Sequence, residues 1–338
     1  MKGMWRILVG FAVIALVAGM LVPAQGQPQR LMVYGAIHET EIAKMLEAFT
    51  KATGIPAEFI RGSSGELVAR IKAERASPKA DVKLGGPADS HEALALEGLL
   101  MPYIPPESKN IDRRFRSPLH YWHGFYIGAL GIAINKPRFD KELKPKGVDY
   151  PKTWEDLLNP AFKGEIVVAN PATSGTAFTF VATQLQRLGW EKGWEYLTAL
   201  HKNVNHYTRS GAAPANMAAT GEFIIGIAFG HDILKPAKQG YPVMLVYPPD
   251  TGWEIGAVSI IKRGPNPEAA KKFVNWVLTR EAGKLHTEIS LRISVRPDVS
   301  VPEGVIPISQ IKLLKNYDLS WAARERNRIL AEWERRFK

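Results

Sequence analysis

Apolar runs alternate with amphipathic segments along the first third of this chain. Leu31 to Tyr34 is a short apolar run typical of a β-strand, and the apolar residues between positions 42 and 49 then recur at helical spacing until Gly54. The same alternation predicts strands at 57–60 and 80–84 and helices at 65–75 and 88–98. Strands separated by helices indicate βαβ units and a parallel sheet.

A second α/β unit follows a long apolar strand at 126–135 and a Pro- and Lys-rich stretch at 136–151, which we expect to be a surface loop. Further strands are predicted at 165–169, 204–207, 223–229 and 258–262, and helices at 176–188, 191–201, 269–279 and 311–336, the last interrupted near 318–320. A chain of 338 residues exceeds the usual limit for one hydrophobic core, so we expect two lobes.

The amino-terminal segment has the pattern of a cleaved signal peptide. Lys2 and Arg6 precede an uncharged apolar run from Ile7 to Val22, and Ala24-Gln25-Gly26 offers small residues at a cleavage site. The alternative is an uncleaved membrane anchor, for which the run is somewhat short. We therefore expect residues 1–26 to be a signal peptide and the mature protein to be periplasmic.

Composition narrows the possible functions. The chain has no cysteine, which excludes a disulfide framework, a thiolate metal site and a lipid-anchored lipoprotein. Its formal charge of +11 favours an anionic ligand or partner. The basic residues are scattered among acidic ones without an aromatic-basic motif, so we expect no nucleic-acid partner.

Two hydroxyl-rich turns are candidate anion sites because each precedes a predicted helix. Ser63 and Ser64 form one, and Thr173, Ser174 and Thr176 form the other. Free backbone N–H groups and the positive end of the helix dipole meet at such positions. The alternative is ordinary N-capping, in which the hydroxyls serve only the helix.

A third candidate turn contains Arg209 and Ser210, between the predicted strand at 204–207 and a helix. Arginine could bind a phosphate oxygen through two donors, or it could be a solvated surface residue. We expect Ser210 rather than Arg209 to contact a ligand.

The strand that ends at Phe229 is followed by His231 and Asp232, where side chains are placed to meet a ligand. Alternatively, Asp232 caps the helix that follows and His231 is a core residue. A catalytic pair is disfavoured because consecutive residues seldom point at each other, and the chain has no nucleophile elbow or phosphate-binding lysine loop. We expect no enzyme activity and no catalytic residues.

Three segments together carry a family resemblance: Thr153–Ile166, Asn170–Thr176 and Gly264–Trp276. They resemble the ferric-iron family of extracellular solute-binding proteins, which serve ABC importers, and the match covers nearly the whole mature chain. The resemblance implies a periplasmic-binding-protein type II fold, in which two α/β lobes are joined by two crossover strands around a ligand cleft. The implied boundaries are 28–125 plus 260–338 for lobe 1, 130–255 for lobe 2, and 126–135 and 250–260 for the hinge.

The site departs from the iron-binding pattern. The iron-binding relatives carry two adjacent tyrosines where this chain has His231 and Asp232. They also carry an acidic ligand where this chain has Gly85 and Gly86. His38 matches their histidine ligand. Fe(III) prefers hard anionic oxygen donors, so this set is a poor iron cage. In hexose-phosphate-binding members, a His-Asp pair and a later Glu hold the sugar, and Glu254 falls about where that Glu is expected.

The resulting hypothesis is an extracytoplasmic solute-binding component of an ABC importer that captures a hexose phosphate or a phosphonate. The expected ligand-binding residues are Ser63, Ser64, Thr173, Ser174, Thr176 and Ser210 on the phosphate, His231, Asp232 and Glu254 on the organic part, and His38 in the cleft. The alternatives are a ferric ion and a polyamine or other cationic solute, since two carboxylates could hold an ammonium group. We expect a monomer that delivers a small anionic solute to an inner-membrane permease, without a cofactor or resident metal.

Overall fold

The protein is described here by a computed structural model of residues 30–337. The signal peptide predicted over residues 1–26 lies outside these residues. The strands within 30–337 are β1 (Leu31–Gly35), β2 (Ala57–Arg61), β3 (Val82–Pro87), β4 (Leu100–Met101), β5 (His123–Asn135), β6 (Ile166–Ala169), β7 (Val204–Thr208), β8 (Ile225–Phe229), β9 (Val243–Val246), β10 (Trp253–Ile261) and β11 (Ile293–Ser294). The α-helices in the same range are α1 (Glu39–Thr53), α2 (Ser64–Ala73), α3 (Ala88–Leu96), α4 (Lys136–Glu142), α5 (Gly175–Leu188), α6 (Trp190–His201), α7 (Ala213–Thr220), α8 (Gly230–Lys238), α9 (Pro267–Val277), α10 (Arg280–Ser290) and α11 (Leu319–Phe337).

The strands form a mixed sheet in the order β2-β1-β3-β10-β5-β8-β6-β7. Strand β1 pairs in parallel with β2 and β3, and β6 pairs in parallel with β7 and β8, whereas β10 and β5 run antiparallel to their neighbours. All 13 residues of β5 are buried, its first half pairs with β10 and its second half pairs with β8. Strand β5 therefore links two halves of the sheet, as expected for a crossover strand.

Two hydrophobic cores lie on either side of this link, and we call the regions around them lobe 1 and lobe 2. Their large buried aromatic residues are Phe49 and Phe273 in lobe 1 and Trp154, Phe178 and Trp194 in lobe 2. Hydrophobic burial on this scale explains why each half folds around its own core. The mixed α/β class expected from the sequence is confirmed.

Helix α1 shows how the local pattern produces these elements. Its buried residues include Ile42, Met45 and Phe49, which lie on one face because about 3.6 residues make a turn. The helix ends at Gly54, which has φ 72° and donates its N–H to the Thr50 carbonyl. Glycine adopts this left-handed conformation without a steric penalty, so the helix stops where the sequence predicts.

Two predicted segments were wrong. The stretch expected to be a loop contains α4, because the Asn135 side chain accepts the Arg138 N–H at 3.1 Å and Phe139 buries its ring completely. The carboxyl-terminal helix begins only at Leu319, where the Asp318 carboxylate accepts the Trp321 N–H at 2.9 Å. Helix α10 and strand β11, which lie between the end of α9 and the start of α11, are not predicted by the sequence pattern.

Helix α11 packs across both lobes. Its residues Ala322, Ile329 and Trp333 belong to the core of lobe 2, while Arg326 forms a buried ion pair with Asp89 of α3 at 3.1 Å. The assignment of 260–338 to lobe 1 stays a prediction, and this packing gives the last helix contacts in lobe 2. Within residues 30–337, no helix combines the length and apolar character needed to cross a bilayer.

Candidate functional site

A narrow cavity of about 50 Å³ lies between the two lobes. Helices α2, α3, α5, α7 and α8 all begin beside it, because their preceding strands or turns end at this edge of the sheet. Nine of the ten residues predicted to bind ligand line it, namely His38, Ser63, Ser64, Ser174, Thr176, Ser210, His231, Asp232 and Glu254. Their roles in binding remain predictions, but the fold does bring them together.

One end of the cavity is formed by the first turns of α2 and α5, which face each other across the cleft. The Gly65 N–H donates to the Thr173 carbonyl at 2.8 Å, which fixes the separation of the two turns. Ser63, Ser64 and Ser174 are all more than 90% buried here. Hydroxyls, backbone N–H groups and two positive dipole ends are thus concentrated at one place, as an anion requires.

The third turn places Arg209 and Ser210 in different surroundings. Ser210 lines the cavity, whereas the side chain of Arg209 is 83% exposed and forms an ion pair with Glu66 of α2 across the mouth of the cleft. Thr173 does not line the cavity: its hydroxyl donates to the carbonyls of Asn170 and Arg209 at 3.2 and 2.9 Å. The Thr173 side chain therefore stabilises the turn, whereas the N-cap of α5 is Ser174, whose hydroxyl accepts the Ala177 N–H.

The hydroxyl of Ser64 rests on a buried polar network in lobe 1. It donates to Ser90 Oγ at 3.0 Å, and Lys83 Nζ reaches the same oxygen at 3.0 Å and His91 Nε2 at 2.9 Å. Burial lowers the pKa of Lys83 to about 7, and burial together with the nearby lysine lowers the pKa of His91 well below its usual value. This network fixes the orientation of the Ser64 hydroxyl, and Lys83, Ser90 and His91 are all buried away from solvent.

The other end of the cavity carries the acidic and histidine side chains. His231 Nε2 lies 3.7 Å from Asp232 Oδ1 and 3.9 Å from Glu254 Oε1. His38, which precedes α1, lies with its Nε2 2.9 Å from the same Asp232 oxygen, so this contact joins lobe 1 to lobe 2. The His-Asp pair and the glutamate, which are distant in sequence, are therefore neighbours.

The two carboxyl groups at this end are electrostatically different. Burial raises the pKa of Glu254 well above its usual value, only partly offset by Arg292. Burial also opposes ionisation of Asp232, but His231 and His38 outweigh it and hold its pKa below the usual range. Burial lowers the pKa of His231 to about 3. At neutral pH, Asp232 is thus an ionised acceptor and His231 a neutral imidazole, whereas burial biases Glu254 toward its neutral form.

Three lining residues with polar or charged side chains were not predicted from the sequence: Arg61, Tyr126 and Arg292. Tyr126 is hidden in the apolar run of β5, where its hydroxyl accepts the Gly86 N–H at 3.3 Å. Arg292 stands between α10 and β11, a region without a predicted element, and nothing in the local sequence distinguishes it from a surface arginine. Only the contacts between distant segments identify these residues.

The side chains around the cavity are a poor set of metal ligands. Within residues 30–337, no group of three or more His, Asp or Glu side chains has the arrangement of a metal site. The cavity also contains Arg292, whose positive charge disfavours a cation nearby. The cavity thus combines hydroxyl groups and helix N-termini at one end with carboxyl and histidine side chains at the other.

The fold and the interlobe cavity define a solute-binding protein, and the chain belongs to the family of bacterial extracellular solute-binding proteins, whose family model matches residues 77–306. It is 35% identical to an uncharacterized protein of Haemophilus influenzae, with 98% of each chain covered. It is also 27% identical to a Salmonella typhimurium periplasmic protein with 2-aminoethylphosphonate as its candidate ligand, covering 75% of this chain and 74% of that one.

Among solved structures, the chain is similar to the periplasmic binding protein AfuA from Actinobacillus pleuropneumoniae, seen with exogenous fructose-6-phosphate bound. The TM-score is 0.86 at 33% identity, with 91% of this chain and 98% of that chain covered. The type II periplasmic-binding-protein fold is thereby confirmed. The protein is a periplasmic-type solute-binding component of an ABC importer. Its family consists of binding proteins rather than enzymes, and these binding proteins work with inner-membrane permeases.

Proposed function

We propose that this protein captures a small phosphorylated organic solute, a hexose phosphate or a phosphonate, and delivers it to an ABC permease. The observation that carries this proposal is the division of the cavity into two chemically different ends. One end presents hydroxyls and two opposed helix N-termini, and the other presents Asp232, Glu254 and His231. A solute with a phosphate at one end and hydroxyls at the other matches both.

The hydroxyl end favours an anion through hydrogen-bond donors and helix dipoles. Ser63 and Ser64 at α2 and Ser174 and Thr176 at α5 surround the place where the helix dipoles meet. Each aligned N-terminus contributes partial positive charge, and a buried hydrogen bond to a charged group is worth about 1.5–3 kcal/mol. Because the Ser64 hydroxyl donates to Ser90, the hydroxyls of Ser63, Ser174 and Thr176 are the donors proposed for the phosphoryl group, together with backbone N–H groups of the two turns.

The acidic end favours hydroxyl groups. Asp232 is ionised and more than 90% buried, and each of its oxygens can accept hydrogen bonds from hydroxyls. Burial raises the pKa of Glu254, and its carboxyl group can accept hydrogen bonds and, when protonated, also donate one. AfuA, at 33% identity, is a relative seen with a hexose phosphate, which supports this solute class for the present chain.

Isothermal titration calorimetry of the mature protein would test the proposal. The probes are glucose 6-phosphate, fructose 6-phosphate, 2-aminoethylphosphonate, inorganic phosphate, spermidine and ferric citrate. We expect at least one phosphorylated organic probe to bind more tightly than inorganic phosphate, and spermidine and ferric citrate to be without effect. Binding of ferric citrate or spermidine with no binding of the phosphorylated probes would refute the proposal.

A further inference from the structure

We propose that Arg292 binds the end of the solute that lies away from the phosphate, and that it selects an oxygen acceptor there over an ammonium group. This inference rests on the proposed function, which leaves hexose phosphates and aminophosphonates both open. It concerns a residue that stands in none of the predicted ligand-binding turns.

Arg292 is a buried arginine with unused hydrogen-bonding capacity beside the cavity. It follows Leu291, whose left-handed φ of 59° ends α10 and turns the chain into β11. The Arg292 side chain is 4% exposed and lines the cavity. Its Nη1 donates to Glu41 Oε2, but its buried Nε has no hydrogen-bond partner among residues 30–337. An unpaired buried donor is costly, and a ligand acceptor would remove that cost.

The guanidinium group is held rigidly. Glu41 is completely buried, its second oxygen lies 2.9 Å from His286 Nδ1, and the Arg292 guanidinium carbon is 4.7 Å from the centre of the Tyr126 ring. Burial would raise the pKa of Glu41, but Arg292 and His286 outweigh it and lower that pKa to about 2. Glu41 therefore stays ionised and fixes the arginine, so that little side-chain entropy is lost when a ligand binds.

The charges around this end of the cavity disfavour an ammonium group. The Arg292 cation lines the cavity, burial opposes the ionisation of Glu254 by raising its pKa, and Asp232 already lies 2.9 Å from His38. An ammonium group would thus face the positive charge of Arg292 with one partly engaged carboxylate as its partner. A hydroxyl, carbonyl or ring oxygen can accept from Arg292 and, where it is a hydroxyl, donate to Asp232. The combination suits a phosphorylated sugar or a related oxygen-rich phosphate ester.

A purely structural role for Arg292, as the counterion of Glu41, makes a different prediction. In that case, replacing the arginine would alter the melting temperature and weaken all ligands by the same factor. A ligand-contacting role instead weakens only those ligands that extend to Arg292. Inorganic phosphate, which fills one end of the cavity, separates the two roles.

The experiment measures dissociation constants of glucose 6-phosphate, 2-aminoethylphosphonate and inorganic phosphate for the wild type, Arg292→Lys and Arg296→Lys. Lysine preserves the charge beside Glu41 but lacks the planar fork of donors. Arg296 is a matched control, since it is also buried and pairs with Glu107 and Asp298 but does not line the cavity.

We expect Arg292→Lys to weaken the binding of glucose 6-phosphate by about tenfold or more beyond any loss of inorganic phosphate binding. Arg296→Lys should leave the ratio of the two dissociation constants unchanged. An equal loss for all three ligands would overturn the inference. So would tighter binding of 2-aminoethylphosphonate than of glucose 6-phosphate by the wild type, a result that leaves the proposed function intact and needs no variant. If the wild type binds neither organic probe nor inorganic phosphate, the proposed function itself fails.

Discussion

Gly65 lies where the two lobes touch, and replacing it by alanine tests whether this contact belongs to the ligand-bound state. A Cβ atom on Gly65 would lie 2.8 Å from the Thr173 carbonyl oxygen and closer still to that of Ala172. Carbon–oxygen contacts normally begin near about 3.3 Å, so the first turn of α2 must move away from lobe 2 by at least about 0.5 Å. Both neighbours are backbone atoms, which cannot rotate aside.

The energetic cost follows from two contributions. Forced insertion of a methyl group into a packed contact costs about 1–3 kcal/mol. Separation of the lobes also lengthens the 2.8 Å hydrogen bond from Gly65 N–H to Thr173, which is worth about 0.5–1.5 kcal/mol. The sum of about 1.5–4.5 kcal/mol acts only on the form in which the two lobes touch, and it corresponds to an affinity loss of about 12- to 1,600-fold, since about 1.4 kcal/mol is a factor of ten.

Calorimetry with glucose 6-phosphate measures the affinity, and small-angle X-ray scattering measures whether the ligand still contracts the protein. The matched control is Gly283→Ala in α10, where the nearest neighbours of the added methyl are side chains of lobe 1, those of Val299, Ser294 and Arg296 at 3.1, 3.3 and 3.8 Å. We expect Gly283→Ala to bind like the wild type and Gly65→Ala to keep its melting temperature without ligand. Wild-type affinity and contraction in Gly65→Ala would refute the reasoning.

Three further predictions concern the site. Asp232→Asn removes an ionised acceptor, and we expect glucose 6-phosphate binding to weaken by about 1–3 kcal/mol, or about 5- to 140-fold, in calorimetry; unchanged affinity would exclude this residue from the site. Arg209→Ala breaks an exposed ion pair with Glu66, so the dissociation rate of glucose 6-phosphate, measured by stopped flow, should rise less than about fivefold. Because salt screens the same ion pair, about 1 M salt should produce this rise in the wild type but not in the variant. Burial lowers the pKa of Lys83 from 10.5 to about 7, so between these values the unfolded chain binds more protons and the free energy of unfolding rises with pH, by at most about 1.4 kcal/mol per unit. In urea titrations at about pH 7 and about pH 9, the free energy of unfolding should rise with pH in the wild type more than in Lys83→Met. An equal change with pH in the two proteins would contradict the lowered pKa of Lys83.

Local sequence pattern was sufficient for most of the elements that build the cleft. The strand at 31–34, the helix ending at Gly54 and the serine turns before α2 and α5 all followed from periodicity and capping residues, since these depend on neighbours within one or two turns. The predictions failed where tertiary packing decided the outcome. Phe139 makes a helix of a Lys- and Pro-rich stretch because the core of lobe 2 buries its ring.

The sequence by itself determined the α/β class, the two-lobed family and nine of the residues that line the cavity, because each of these leaves a local or family-wide trace in the chain. Tertiary structure alone decided which polar groups meet. It places Arg292 beside a glutamate 251 positions away, gives Asp232 and Glu254 opposite protonation preferences, and closes Gly65 onto Thr173. The physical reason is that burial and charge at a site are set by neighbours in space, which no segment of sequence contains.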